Sequence, residues 1–351
     1  MDNLAYISFQ PNDYFNTVTY SGTSGTTNVT GVGFQPDMVW TKDRGRTETH
    51  CLYDAVRGVT KRIRPDNTAA EGTETAGVSA FNTDGFTTGE QGGSGQDGYN
   101  YVAWNWKAGT TSGITTNSDT SITPSAYSFN QTSGFSMVQY TGTAVDGAYL
   151  PHGLGKAPEL LFLKQTSGTE PWQVYSKPTG YGGRGWLNTG DAFQTSRGEW
   201  YSTNPDSVNM RISNDSHING SGATYIAYFF TSIKGHCKIG SYTGNGVVSQ
   251  SPFIYTGFKP GFILIKKTSG SEYWGIVDNK RPGYNTNNYY IYPNETSAEG
   301  TSTSLASSIC ANGFKPENND TFWNTNGQTY LYMAIAAEPF VASNEDPATA
   351  R

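Results

Sequence analysis

A chain of 351 residues with a formal net charge of −6, 15% charged and 14% aromatic residues has no basic footprint for nucleic acid and too much apolar area for a disordered chain. It holds no apolar window of about 18 residues able to span a bilayer, and its three cysteines, Cys51, Cys237 and Cys310, are too scattered to imply a disulfide framework. Forty-two glycines among many Tyr, Phe, Trp and Thr residues point to short strands joined by turns.

The opening Met1-Asp2-Asn3-Leu4 has neither the charged nor the apolar region of a signal peptide, so synthesis in a reducing cytoplasm is expected. Residues 1–14 read as an N-terminal docking arm, with Tyr6-Ile7-Ser8-Phe9 as a strand and Pro11-Asn12-Asp13 as a turn. Tyr6, Ile7 and Phe9 are its candidate assembly contacts, onto this chain or another.

From there the chain repeats itself. Gly33-Phe34-Gln35-Pro36-Asp37-Met38-Val39-Trp40-Thr41-Lys42 returns as Gly155 to Lys164 and again as Gly257 to Lys266, with the proline and the lysine offset by 122 and then 102 residues. Before each copy stands a strand ending in Tyr-Ser/Thr-Gly: Phe15 to Gly22, Phe135 to Gly142 and His236 to Gly244. After each copy comes another short strand, at Cys51 to Asp54, Gln173 to Ser176 and Gly275 to Asp278. Each copy closes on a further strand, at Tyr101 to Trp104, Tyr225 to Tyr228 and Tyr330 to Ala334. Modules are therefore expected over 15–108, 134–234 and 235–341. A Ser/Thr-rich linker or added polar strand covers 109–133, and 342–351 forms a C-terminal tail. Leu160 to Leu163 and Phe262 to Ile265 are apolar without alternation, so both faces of these strands are covered, by another module, another subunit or an overlying loop. Helical periodicity is missing throughout, and closely spaced turn signals favour antiparallel sandwiches.

Candidate chemistry is sparse. Gly93-Ser94-Gly95-Gln96-Asp97-Gly98 matches the glycine pattern of dinucleotide sites, but a strand rather than a helix follows, which makes it a hairpin turn. His50-Cys51 and His236-Cys237 invite a zinc site, yet neighbours in a strand face opposite sides and cannot share one metal. Glu71, Glu74, Glu299, Asp84 and Glu199 are the acids available to a hydrolase. In the second module Tyr181, Trp186, Trp200 and Tyr201 lie beside glycines and are candidate sugar-stacking rings, or else core. The three copies share glycines, proline, apolar strands and turns, and share no nucleophile or acid pair; that favours building or binding over catalysis, with no cofactor and no metal.

The phrases Gly33 to Trp40, Leu52-Tyr53-Asp54-Ala55-Val56-Arg57-Gly58, Asn82-Thr83-Asp84-Gly85-Phe86, Tyr101 to Gly109 and Gly240 to Gly246 resemble a family of repeat-containing proteins encoded by tailed bacteriophages, many of them marine. The resemblance spans Phe15 to about Phe340. It implies an all-β chain of three tandem antiparallel β-sandwich modules of lectin-like or SPRY-like type. The implied role is that of a non-enzymatic virion surface protein, tail fibre, appendage or capsid decoration, made in the host bacterial cytoplasm. Its partners would be other virion proteins, with a homo-oligomer, a trimer by analogy. The rival expectations are a host-glycan receptor binder at the tail tip and a polysaccharide depolymerase.

Overall fold

The computed structural model describes residues 9–195, 198–201, 203–281 and 288–338. It is all-β and antiparallel; among the described residues the one α-helix is α1, Ser216–Asn219. Three large sheets carry the chain. The first takes β1 (Phe15–Ser21), β2 (Met38–Asp43), β3 (Cys51–Asp54) and β4 (Asn100–Trp106), in the order β1-β4-β2-β3, and continues through Gly58–Ile63 and Gly72–Thr73. The second takes β5 (Ala126–Asn130), β6 (Phe135–Thr141), β7 (Leu160–Gln165), β8 (Gln173–Ser176) and β9 (Thr224–Phe230), ordered β5-β6-β9-β7-β8. The third takes β10 (Cys237–Thr243), β11 (Lys259–Lys267), β12 (Gly275–Asp278) and β13 (Thr329–Glu338), ordered β10-β13-β11-β12. The final strand of each set lies between the strand that ends in Tyr-Ser/Thr and the apolar one. Trp40 stands opposite Trp104, Phe162 opposite Tyr228 and Leu264 opposite Met333, which defines equivalent positions across the sheets.

The non-alternating strands are explained by what covers them. Along β7, Leu160 and Phe162 enter a central cluster, while Leu161 and Leu163 enter a separate outer one. Along β11, Phe262 and Leu264 face the central cluster, while Ile263 and Ile265 face outward into a third. The central cluster gathers Trp40 and Trp104, Phe162 and Tyr228, and Leu264 and Met333, so the inner faces of all three large sheets meet in one core. Each outer face is covered by a small sheet: Val29, Val78 and Phe86 on the first, Leu150, Met210 and Ile212 on the second, Ile254, Ile309 and Phe314 on the third. A strand buried on both sides has no use for polar alternation.

The Tyr-Ser/Thr-Gly element has a local reason. Tyr20, Tyr140 and Tyr242 stack on Tyr101, Tyr225 and Tyr330 with centroids 5.3, 5.2 and 5.1 Å apart. Their hydroxyls donate to backbone carbonyls of the turn beyond: Ser94 at 2.5 Å, Ile218 at 2.5 Å and Trp323 at 2.7 Å. That clasp presses the turn onto the glycine, so a Cβ on Gly22, Gly142 or Gly244 would overlap the carbonyl oxygen of Gln96, Gly220 or Thr325. Gly142→Ala is therefore expected to destabilise by about 1–3 kcal/mol, the range for overpacking against a partner that cannot move aside. Urea denaturation checks it; a loss below about 0.5 kcal/mol would show the clasp to be loose.

Two segments that the sequence left open have definite neighbours. Phe9 docks on its own chain, 5.1 Å from Tyr14 and 5.4 Å from His236 between ring centroids. Tyr6 and Ile7 lie outside the described residues. Segment 109–133, read as a linker or an added polar strand, supplies a strand: β5 pairs along β6, Thr110 bridges Phe129, and Ile122 is buried in the outer cluster of that sheet. Alternating Tyr127 and Phe129 among the serines gave this segment enough apolar surface to pair. Among the described residues no helix is long and apolar enough to cross a membrane.

Candidate functional site

The polar groups that recur at equivalent positions are concentrated where one large sheet meets the next. Trp172 Nε1 donates to Arg64 O at 2.8 Å, from the second sheet to the first. Trp274 Nε1 donates to Trp186 O at 2.7 Å, from the third to the second. The equivalent residue of the first sheet is His50. Its Nδ1 accepts from Trp40 Nε1 at 2.9 Å, which leaves the proton on Nε2 to reach Tyr292 O at 3.1 Å, from the first sheet to the third. Backbone bonds repeat the same cycle: Glu71 N to Thr166 O, Phe193 N to Thr268 O and Glu299 N to Arg44 O, at 2.9, 2.9 and 2.8 Å. Each sheet thus holds the next and the third returns to the first, a closed head-to-tail ring.

Two of the three seams bury arginine–carboxylate pairs. At the first, Arg57 Nε donates to Asp54 Oδ2 at 2.6 Å, Nη2 to Leu52 O and Nη1 to Glu71 Oε2, both at 3.2 Å. Tyr228 OH of the second sheet reaches the same Asp54 oxygen at 2.5 Å. At another seam Arg281 Nε donates to Asp278 Oδ2 at 2.8 Å, and its Nη1 to Glu299 Oε2 at 3.0 Å. Trp104 Nε1 of the first sheet reaches Asp278 Oδ2 at 3.1 Å, and Arg44 closes on Glu299 at 2.8 Å. At the equivalent positions of the remaining seam stand Ser176, Thr179, Phe193 and Met333, where Ser176 and Thr179 hydroxyls satisfy each other at 2.7 Å. Two seams hold arginine–carboxylate networks; at the third, Lys266 Nζ on Gly190 O at 2.9 Å supplies the charge instead.

The lysines that end the apolar strands, Lys42, Lys164 and Lys266, are all buried. Each ammonium donates to two backbone carbonyls: Asp43 and Arg46, Gln165 and Gly168, Gly190 and Glu272, over 2.5–3.1 Å. Burial pulls them down to about 8, about 8 and about 7, against the attraction of nearby acids. A lysine whose folded pKa lies below its unfolded value of about 10.4 binds fewer protons folded than unfolded, so its contribution to stability rises with pH from about 7 and is flat below. The buried Cys51 thiol, pushed up to about 12 by burial, acts oppositely above about 8.5. The expected result is therefore differential. Between pH 7 and 9.5 the stability of the native chain should rise relative to Lys266→Met, as urea midpoints at each pH will show; parallel curves would contradict the assignment.

The four candidate stacking rings do not form one platform. Trp200 is a core residue, fully buried and edge-on to Tyr175 at 6.0 Å, so it offers no face to a sugar. The Arg184 guanidinium lies 4.6 Å over the half-buried Trp186 ring and pairs with Glu199. Tyr201 is covered by Arg211 at 3.8 Å, which also lies 5.0 Å from the Tyr149 ring. Tyr181 remains exposed, at 44%. The candidate acids are likewise engaged. Glu71, Glu299 and Glu199 meet the arginines named above, and Glu74 meets Arg62 at 3.2 Å. Asp84 accepts from Gly31 N and Gly33 N at 3.0 and 2.6 Å, which holds its carboxyl below the usual range.

Both His-Cys pairs split across a strand, as their adjacency requires. His50 faces the seam, while Cys51 joins the outer cluster of the first sheet. Cys237 enters the central cluster, and burial pushes His236 down to about 3. Among the described residues no group of three His, Cys, Asp or Glu side chains is placed to hold a metal. The Gly93 to Gly98 stretch is the turn before β4. The seam groups were missed by sequence reasoning, though a signal existed: Asp54-x-x-Arg57 and Asp278-x-x-Arg281 share a spacing that Ser176-x-x-Thr179 lacks.

A family model described as a domain of unknown function, DUF7483, matches residues 10–339. Neither the curated proteins nor the solved structures give a match.

Proposed function

The chain belongs to this family of unknown function, so its role has to come from its own residues, and we propose that it is a non-enzymatic structural component on the surface of a bacteriophage particle. In this reading three antiparallel β-sandwich modules of lectin-like or SPRY-like type, copied from one ancestor, are closed around a shared core as a rigid head. The observation that carries it is where the common groups act. The indole, imidazole and lysine donors at equivalent positions bind backbone carbonyls within or between sheets, and the tyrosine clasps pin turns. Selection has kept what holds the head together. The phage assignment itself rests on the sequence resemblance to virion proteins. Where that resemblance implies a trimer, one chain already supplies three sheets around one core.

Gold-labelled antibody against the protein, applied to purified particles and paired with mass spectrometry of the same particles, tests this. Label at a fixed site on intact particles is the expected result; absence from particles, with the protein confined to the lysate, would overturn it. The exposed Tyr181 beside Gly180, Gly182 and Gly183 favours a second reading, host-glycan binding. A glycan array combined with a reducing-sugar release assay separates the readings: binding without release supports a receptor binder, release supports a depolymerase, and neither supports decoration.

A further inference from the structure

We propose that the junction between the third and the first large sheet is a binding site for a small free carboxylate, held by the Lys280 ammonium, the Thr17 hydroxyl and the Asn279 amide. The inference goes beyond the virion reading and does not depend on it.

The repeats supply the chemistry of the ligand. The residue after the repeated proline is Asp37 in the first copy and Glu159 in the second. Asp37 Oδ2 accepts from Ala108 N at 2.7 Å. Glu159 Oε2 accepts from Ser232 N at 3.3 Å, while its Oε1 meets Lys177 Nζ at 2.7 Å. Met38 stands opposite Trp106, Leu160 opposite Phe230 and Phe262 opposite Ile335, so Ala108, Ser232 and Ala337 are equivalent. In the third copy the acid is gone. Its position is Gly261, where a Cβ would come within 2.8 Å of Ala337 Cα. No side chain can restore a carboxylate from there unless the backbone of β13 moves.

A cavity of about 150 Å³ opens at this position, lined by Gly261, Ala337, Asn279 and Lys280 of the third sheet and by Thr17 of the first. That is the volume of an engineered cavity that admits benzene, enough for an acid of up to about six heavy atoms.

The lining is polar where its counterparts are apolar. Thr17 stands opposite Trp104 as Met137 stands opposite Tyr228 and Ile239 opposite Met333. Met137 and Ile239 lie in the central cluster; Thr17 is 3% exposed, and its Oγ1 has no hydrogen-bond partner among the described residues. Lys280 lies two residues beyond Asp278, as Val56 beyond Asp54 and Pro178 beyond Ser176. Val56 packs on the central cluster, and the turn Lys177–Thr179 packs on β10, the strand of Ile239. A hydroxyl and an ammonium have thus replaced apolar groups at one junction alone. The acids near Lys280 are spent elsewhere: Asp278 and Glu299 pair with Arg281, and Glu299 also with Arg44. The neighbouring Asn16 is spent too, its Nδ2 donating to Gly31 O and Val32 O at 3.3 and 3.1 Å. Donors gathered around a buried polar space without an acceptor call for an anion, and two sister copies show that anion to be a carboxylate.

The test titrates the full chain with acetate, with its neutral isostere acetamide and with inorganic phosphate, read from the amide shifts of Thr17, Gly261 and Ala337. Acetate should saturate and bind at least ~10-fold more tightly than acetamide, the margin expected of charge-assisted hydrogen bonds. Lys280→Gln should erase that margin. Thr17→Val keeps the shape and removes the hydroxyl. It should weaken acetate by ~5–10-fold, yet leave the ligand-free chain at least as resistant to urea as the native one, because an unpartnered buried hydroxyl costs stability. Four results would overturn the proposal: no saturation by acetate, which would leave the cavity to water; equal binding of acetamide; tighter binding of phosphate; or binding of acetate only after deletion of residues 342–351, which would mean that the chain fills the site itself.

Discussion

Arg57→Ala is expected to lower stability by about 3–5 kcal/mol, the usual result of stranding one half of a buried ion pair. Asp54 would keep its place with no cation beside it, and Tyr228 alone would remain as a donor to its Oδ2. The seam that lacks an arginine–carboxylate pair shows how the loss can be repaired. Replacing Asp54, Arg57, Glu71 and Tyr228 together by Ser, Thr, Phe and Met copies Ser176, Thr179, Phe193 and Met333 into the first seam. Because a buried pair is often no better than well-packed apolar groups of similar volume, this quadruple variant should recover native stability or exceed it. Guanidinium unfolding of the single and quadruple variants decides the matter. If both are equally unstable, the seams are not interchangeable and the equivalence drawn between them is wrong.

Trp172→Ala is the second large effect, about 3–5 kcal/mol, for an indole that is fully buried and whose N–H crosses to Arg64 O. More is at stake than the cavity. Trp172 belongs to the cluster shared by all three large sheets, so the loss should be felt by the whole chain. Calorimetry should show one transition in the native protein and one transition, moved down, in the variant. Separate transitions, with only one moved by Trp172→Ala, would mean three beads on a string. The guest at the equivalent position in the first sheet is His50, so Trp172→His should keep the donor to Arg64 O and lose less.

Much of this architecture was legible in the residues. The strands at Cys51 to Asp54, Gln173 to Ser176 and Gly275 to Asp278 are β3, β8 and β12, with the bounds that their spacing predicts. Turn chemistry and apolar runs are local, and local signals survive in a single sequence. The unbroken apolar run at Leu160 to Leu163 announced two covered faces but not the covers, because nothing local records which distant strands will meet. Trp200 shows the converse. A ring beside polar turn residues looks like surface until the Tyr175 ring against it is known. The seam networks join residues up to 255 apart, as Arg44 to Glu299, and only the i,i+3 half of each was open to reading. Segment 109–133 was ambiguous for a physical reason as well: serine and threonine suit an edge strand and a spacer equally.

The closed ring also sets a valence. A true trimer of identical chains would have to present any feature of its rim three times over. Here the three rims have drifted apart, one sealed by a strand, one tied by Asn16, one bridged by Ile233 on Cys237. A head built this way presents each kind of rim once, a freedom that identical subunits do not possess.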